Sequence, residues 1–488
     1  MKKFLQNNLF IFWGLSIAFL LLTGYAIISE QFYLLAIPYV LGIVWVALKA
    51  IDKLLFLIIF LVPLSVPMSE FFSGLPINMF IPTEPLVAGV LLLFLILLPT
   101  QKWINKDLLY HPVTVASAVL MIWMLLTTVT STMPVVSIKF FFMRLWFLIT
   151  FYYMMVLIIR KPKDIEKLVW LYTIPMVIVI AYGLTRHATY GIFDKKIAHW
   201  AANPFFKDHT IYGAALAFYV PFLTLMAFRK GKALLTQVGT VSLLVIFSTA
   251  LIFSYSRAAW LSVGGALILY IIIRLKINWK YIVGLSIIAL IAGGFMWNRI
   301  MIQLEQNRQE SSVSNIGEHV KSMTNITSDA SNLERINRWK SAFRMFNEKP
   351  LLGFGPGTYM FQYAPYQMSY ERTIISTNAA NRGNAHSEYF GPLSEQGFPG
   401  MLTYIALITA MMITGIRRYY LLEDPTLKRY LMGAILGLAT YILHGFLNNF
   451  LDTDKISVPF WGFTAIIVAI DLHHRQLSKN GLKKLESK

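Results

Sequence analysis

The sequence predicts an all-α polytopic membrane protein with roughly fourteen membrane helices and one large helical loop on the outer face. Three observations predict it. The 488 residues are 57% hydrophobic and only 14% charged, against roughly 25% charged in soluble domains, so one soluble core could not hide this much apolar surface. Apolar runs near the length of about 20 residues that a bilayer requires recur along the chain. The basic residues gather in alternate connections between those runs, as the positive-inside rule expects.

Met1-Lys2-Lys3 and the apolar run from Leu9 begin like a signal peptide. The run continues to about Ile28, past the about 7–15 residues of a signal core, and no small-residue cleavage site follows. It reads as the first membrane helix. The others lie near 32–48, 54–67, 84–99, 113–131, 141–159, 167–186, 211–228, 238–255, 258–274, 280–298, 400–416, 430–447 and 457–471. Pro63 marks the third as kinked or tilted. Residues 238–274 are too long for one helix, so a break is placed near Ser256.

Lys49 and Lys53, Lys102 and Lys106, the 160–167 cluster, Arg229–Lys232, Arg274–Lys280 and Arg417–Arg429 all fall on one side if the segments alternate. That side, with both basic termini, is expected to be the cytoplasm. Connections 68–83 and 132–138 are almost free of Lys and Arg. The expected organisation is eleven helices over 1–298, an outer loop over 299–399, three helices over 400–472 and a basic cytoplasmic tail over 473–488.

The net charge of +19 does not indicate nucleic acid, because it is spread in short clusters between apolar runs. The chain has no cysteine, which excludes disulfides, thiolate catalysis and cysteine-ligated metal.

The outer loop is a polar outlier in an apolar chain. Ser331-Asn332-Leu333-Glu334 fits a capping box, and Leu333, Ile336, Trp339, Phe343 and Phe346 recur at helical spacing. Residues 332–348 are therefore expected to form an amphipathic helix that Pro350 stops. Arg335 and Arg338, three apart, share its face. Gly353, Gly355 and Gly357 form a turn that can leave backbone N–H groups free. A further helix is expected to begin near Ala385 and enter the membrane, with Pro392 kinking it.

Each candidate residue has a plain reading beside the functional one. Arg257 sits at an outer helix end, where arginine either snorkels or offers its planar fork to phosphate, with Ser254 and Ser256 as extra donors. Arg335 and Arg338 form either a solvated charged face or a basic face turned inward, with Trp339 beside them. His386 is either incidental or a base that takes a proton from a sugar hydroxyl; its place just before a membrane segment, near Glu388 and Glu395, favours the second. His199 and His209 compete for that role without that setting. His444 reads as a buried polar contact. Tyr359, Phe361, Tyr363, Tyr366 and Tyr370 either stack on sugar rings or pack the loop. No residue spacing makes a metal site.

At these residues the chain resembles the O-antigen ligase and polymerase superfamily, multi-pass glycan-transfer enzymes of the bacterial inner membrane. The resemblance rests on Ser256-Arg257-Ala258-Ala259-Trp260-Leu261, on Arg335 and Trp339 followed by Pro350-Leu351-Leu352-Gly353-Phe354-Gly355, and on His386-Ser387 followed by Glu395-Gln396-Gly397. Its diagnostic region is about 240–420. Where the family commonly has Asn after the histidine, this chain has Ser387, and Asn203-Pro204-Phe205-Phe206-Lys207-Asp208-His209 stands where the family often has an Asn.

The resemblance implies a GT-C-like membrane glycosyltransferase with a periplasmic site. It would move a glycan from undecaprenyl diphosphate to an acceptor hydroxyl, most simply a lipid A-core sugar, with inversion, no metal and no cofactor. By this reading His386 is the base. Arg257, Arg335, Arg338 and Lys207 hold the diphosphate, and Glu395, Ser256, Trp339 and His209 support them. A repeat-unit polymerase and a protein O-oligosaccharyltransferase share these motifs. A lipid-linked glycan flippase is the non-enzyme alternative, disfavoured because the charged cluster lies in one outer loop rather than on broken midplane helices.

Overall fold

The computed structural model describes residues 2–71, 79–100, 104–229, 231, 233–278, 280, 281, 284, 285, 287, 288, 291–295, 330–373, 376 and 383–486. Eight of the nineteen residues of the expected segment 280–298, residues 299–329 of the expected outer loop and most of the polar stretch 306–332 lie outside the described residues.

The protein is about 80% helical. Among the described residues the strand pairing is one two-residue antiparallel ladder, Val66 opposite Ile81 and Pro67 opposite Phe80. The all-α membrane class therefore holds. Fourteen spans were expected; among the described residues nine helices are long and apolar enough to cross a bilayer. The chain divides into two units, Met1–Ile58 and Ile59–Lys488. The first holds the long helix Lys2–Ile28 and the shorter Ala36–Lys49, and the helix Ile51–Leu61 begins within it.

In the second unit the break expected near Ser256 lies between the helices Leu234–Phe253 and Arg257–Arg274. Tyr255 at this corner takes a left-handed backbone, φ +51°. The centre of the unit is the helix His209–Ala227, whose residues from Ile211 to Leu223 are all buried. Aromatic rings join it to its neighbours: Tyr219 stacks on Tyr172 at 4.7 Å, Phe218 on Tyr441 at 5.3 Å and Phe222 on Tyr430 at 6.1 Å. The helix Pro425–His444 presents Gly433 and Gly437, one turn apart, to this packing. A Cβ at Gly433 would lie 2.4 Å from the Phe222 ring, and one at Gly437 2.2 Å from the Phe463 ring. Small residues at this spacing let membrane helices approach closely, where van der Waals packing supplies the attraction.

Buried charges tie the ends of the bundle. Asp454 accepts hydrogen bonds from Ser65 at 2.7 Å and Thr83 at 2.5 Å, while the Lys455 ammonium donates to the Ser65 carbonyl at 2.8 Å and its hydroxyl at 2.6 Å. Near the other end of the same helix, Asp471 pairs with Arg418 at 2.7 Å and lies 3.3 Å from His111. A charge in the membrane is tolerated when it is paired and hydrogen-bonded in this way.

The amphipathic helix expected in the large polar loop runs over Ala330–Glu348 and ends before Pro350. Ser331 lies inside it rather than capping it. Glu334 does not reach back in a capping box: its carboxylate accepts from Arg338 at 2.7 Å, from Thr373 at 3.0 Å and from Ser376. The next helix is Phe390–Leu421, and its kink lies at Gly397, φ +71°, not at Pro392. Pro392 falls in the first turn, where a missing N–H breaks no bond.

Candidate functional site

Residues 383–389 carry His386 between the two loop helices, and both sides of this segment are anchored. The Gly383 carbonyl accepts from Arg338 Nη1 at 3.2 Å, and Asn384 Oδ1 accepts from the His386 N–H at 3.1 Å. Ser387 Oγ accepts from the N–H groups of Tyr389 at 3.2 Å and Phe390 at 3.3 Å, closing the start of the membrane helix. A serine here thus caps the helix, the natural task of that side chain at an N-terminus. The Glu388 N–H donates to the Gly445 carbonyl at 2.8 Å. One oxygen of its buried carboxylate accepts from Tyr441 OH at 2.6 Å and from the N–H groups of Phe450 at 2.8 Å and Leu451 at 2.9 Å. Arg144 lies 3.5 Å from the other.

These anchors hold His386 in a left-handed conformation, φ +50°. For an L-residue with a side chain this costs roughly 1–2 kcal/mol, and such strain gathers at functional sites where the surroundings over-determine it. The ring Nδ1 is buried without a hydrogen-bond partner. Burial, reinforced by Arg335 and then Arg338, pushes the imidazole pKa down to about 3, so the ring is neutral at physiological pH.

Beside it the cations converge. Arg335 donates from Nε to the Leu447 carbonyl at 3.2 Å and from Nη1 to Asn332 Oδ1 at 3.2 Å. Burial and then Arg257 push its guanidinium down to about 10, with Asp208 acting in the opposite direction. Lys195, 8% exposed, is held down to about 8 by burial, then by Arg257 and Arg335. Three cations from three separate segments thus repel one another in a poorly solvated place, an arrangement that an anion relieves. Arg257 begins its helix directly after Ser256, whose Oγ is buried and unpartnered. Gly213 lets that corner come close, since a Cβ there would lie 2.7 Å from Ser256 Cβ.

The other expected residues are placed differently. Arg338 is 3% exposed, paired with Glu334, and stacked over the Tyr363 ring at 4.0 Å. Its guanidinium is paired here rather than turned to the cation cluster, and it supports the His386 segment through Gly383. Lys207 is exposed, and its charge acts on Asp452. His209 begins the central helix and stacks on His199 at 4.2 Å. Trp339 packs edge-on to Phe390 at 5.2 Å, under the entry to the membrane helix.

Glu395 is buried and accepts from the N–H groups of Tyr359, at 3.0 Å, and Gly357. Its own carbonyl accepts from Gly355 at 2.7 Å, and that of Ser394 from Phe354 at 3.2 Å. The glycine turn therefore has its N–H groups bonded rather than free. Gly353, φ +66°, abuts the Glu395 carbonyl, where a Cβ would lie 2.4 Å from the oxygen. The two motifs, separated in sequence, are the two halves of one interlock.

Lys195, Arg144 and Asp452 were given no role by the sequence, and Glu388 was noted only as a neighbour of His386. Asn384, Ser387, Glu388, Arg144 and Asp452 line a cavity of about 130 Å³ beside the histidine segment. Asp452 is pushed up to about 6, mainly by burial. Glu388 had a usable signal, being two residues from His386; the burial of Lys195 depends on the fold. Among the described residues no group of three or more His, Asp or Glu side chains could hold a metal ion.

Glu388→Ala leaves the Tyr441 hydroxyl hydrogen, the Leu451 N–H and Arg144 without an acceptor. Breaking a buried charged contact of this kind costs roughly 3–5 kcal/mol. Thermal unfolding of the purified variant is expected to show a clear drop in Tm, and an unchanged Tm would mean the anchor is dispensable.

Residues 242–405 match the family model described as O-antigen ligase. Arg257, Arg335, Arg338, Trp339, His386 and Glu395 lie inside the matched region; Lys207 and His209 lie before it. No curated protein matches the chain.

Proposed function

From the O-antigen ligase superfamily that this match supports, we propose that the protein transfers a glycan from undecaprenyl diphosphate to an acceptor hydroxyl at the outer face of the bacterial inner membrane, with both termini cytoplasmic. The observation that carries the reading is the convergence of Arg257, Arg335 and Lys195 beside a strained, neutral histidine. A lipid-linked diphosphate is the anion that such a cluster suits, because two arginine forks and an ammonium match its oxygens and its charge.

The acceptor oxygen attacks the anomeric carbon as the bond from that carbon to the diphosphate oxygen breaks, giving inversion. His386 takes the hydroxyl proton. The departing diphosphate gains charge, which Arg257 and Arg335 stabilise without reorganising at the moment of reaction. Arg338 and Glu388 act as positioning residues on the His386 segment. A lipid A-core sugar is the preferred acceptor; a growing repeat-unit glycan or a protein hydroxyl uses the same site chemistry. The lipid A, polymer and glycoprotein profile of a deletion strain separates these acceptors. Purified protein that transfers no glycan from a lipid diphosphate to any of the three, with donor bound, would overturn the reading.

The electrostatics give a pH prediction. Burial and then Arg335 and Arg338 push the His386 pKa from the ordinary 6.5 down to about 3. Bound diphosphate offsets those charges, so donor binding raises that pKa. The transfer rate at saturating donor is expected to fall as pH drops through the raised value, since the proton then occupies the base. The native state binds this proton less readily than the unfolded chain, so stability also falls between about pH 6.5 and pH 3. Nuclear magnetic resonance of labelled histidine checks both; a His386 signal that titrates near 6.5 with and without donor would contradict the site as described.

A further inference from the structure

A second basic cluster lies at the opposite end of the same helix that carries Arg257. Arg257–Arg274 spans eighteen residues, or about 27 Å at the helical rise of about 1.5 Å per residue, so Arg274 stands at the other membrane face. There the ends of three helices, Arg257–Arg274, Phe390–Leu421 and Pro425–His444, border a groove of about 780 Å³. Its walls are aliphatic, with Leu269, Ile272 and Ile416 among them, and its rim carries Arg274, Lys276 and Lys428. Tyr420 donates to the Ile273 carbonyl at 2.9 Å, tying two of the helices together along the groove. Lys428 lies 5.8 Å from the Tyr419 ring centre.

Among the described residues none of these three cations forms an ion pair. The nearby carboxylate of Asp424 is occupied as a helix cap, accepting from Thr426 at 2.6 Å and Leu427 at 3.0 Å. The contrast with neighbouring Arg418 is direct, since that side chain is neutralised by Asp471. The apolar walls would face hydrocarbon and the cationic rim the headgroup layer.

We infer that this groove binds an anionic glycerophospholipid, its phosphate on Arg274, Lys276 and Lys428 and an acyl chain along the aliphatic wall. Charge complementarity selects the occupant. Basic pockets between helices at one membrane face hold anionic headgroups, and each lysine or arginine near such a surface contributes about 1 kcal/mol. A zwitterionic lipid gains the acyl contacts but little of that attraction. The tyrosines, apolar in body and polar at the tip, suit the boundary between the two regions.

The test uses full-length protein reconstituted in vesicles of mixed phosphatidylglycerol and phosphatidylcholine, then released gently and examined by native mass spectrometry. Wild-type protein is expected to retain phosphatidylglycerol in preference to phosphatidylcholine. The triple variant Arg274→Gln, Lys276→Gln, Lys428→Gln is expected to lose roughly a hundredfold of that preference, since three such contacts are worth about 3 kcal/mol. A control variant, Arg229→Gln, removes a cation on another connection and is expected to leave the preference intact. Equal retention of the two lipids by wild type, or an unchanged preference in the triple variant, overturns the assignment and leaves only a general lipid annulus. If the triple variant does not fold, the three single variants, each expected to lose several-fold, carry the same decision.

Discussion

His386→Asn is expected to lose nearly all glycan transfer while the protein folds and binds its donor. The choice of substituent follows from the backbone. At φ +50°, asparagine is among the few residues that adopt the left-handed region readily, so this variant keeps the segment's shape and removes the base. General base catalysis contributes about 10²–10⁴-fold, or about 3–5 kcal/mol of barrier. His386→Ala loses the same chemistry and adds backbone strain, so its Tm is expected to fall further than that of His386→Asn. His199→Ala and His209→Ala remove a stacked pair and are expected to reduce transfer mildly. Transfer assays and Tm measured on the same four preparations check the set.

Arg257→Ala and Arg335→Ala are each expected to abolish transfer by weakening donor binding and losing stabilisation of the leaving diphosphate. A charged hydrogen bond to an anion is worth about 1.5–3 kcal/mol, and its value at the departing phosphate adds to that. Arg→Lys at either position is expected to recover only part, because the fork is replaced by a point charge. Removing Arg335 also relieves repulsion on Lys195 and lifts a cause of the low His386 pKa. The alanine variant is therefore expected to titrate its histidine at higher pH than wild type. Lys195→Ala is expected to weaken donor binding less than either arginine variant. Near-normal donor binding in both arginine variants would place the phosphate clamp elsewhere.

The membrane class was legible because hydropathy and charge alternation are properties of the sequence alone. The helix over Ala330–Glu348 was legible for the same reason, from the spacing of Leu333, Ile336, Trp339, Phe343 and Phe346. Its cap was not, because Glu334 is taken by Arg338, Thr373 and Ser376, and two of those partners lie some forty positions away. Pro392 suggested a kink, but a proline's effect depends on its distance from the helix start, which only the Ser387 cap defines. Gly397 makes the bend because Leu351 packs against it too closely for any side chain.

The site residues divide along the same line. His386, Arg257 and Arg335 could be named as candidates from residue type and position. Whether an arginine is available or already paired depends on tertiary partners, so Arg335 and Arg338, three apart on one helix, could not be told apart in sequence. Arg338 meets Glu334 and Tyr363, whereas Arg335 meets a carbonyl, an amide and other cations. The bonding of the glycine turn was not legible because its partners, Ser394 and Glu395, come from a segment that only the fold brings opposite.

The central claim is that His386 acts on the acceptor while the arginines act on the donor. Single-turnover transfer by purified His386→Asn, with donor affinity determined on the same sample, tests it most directly. The account predicts donor affinity close to wild type and a transfer step slowed by about 10²-fold or more. A transfer step near the wild-type rate, or a defect wholly explained by weaker donor binding, would contradict it.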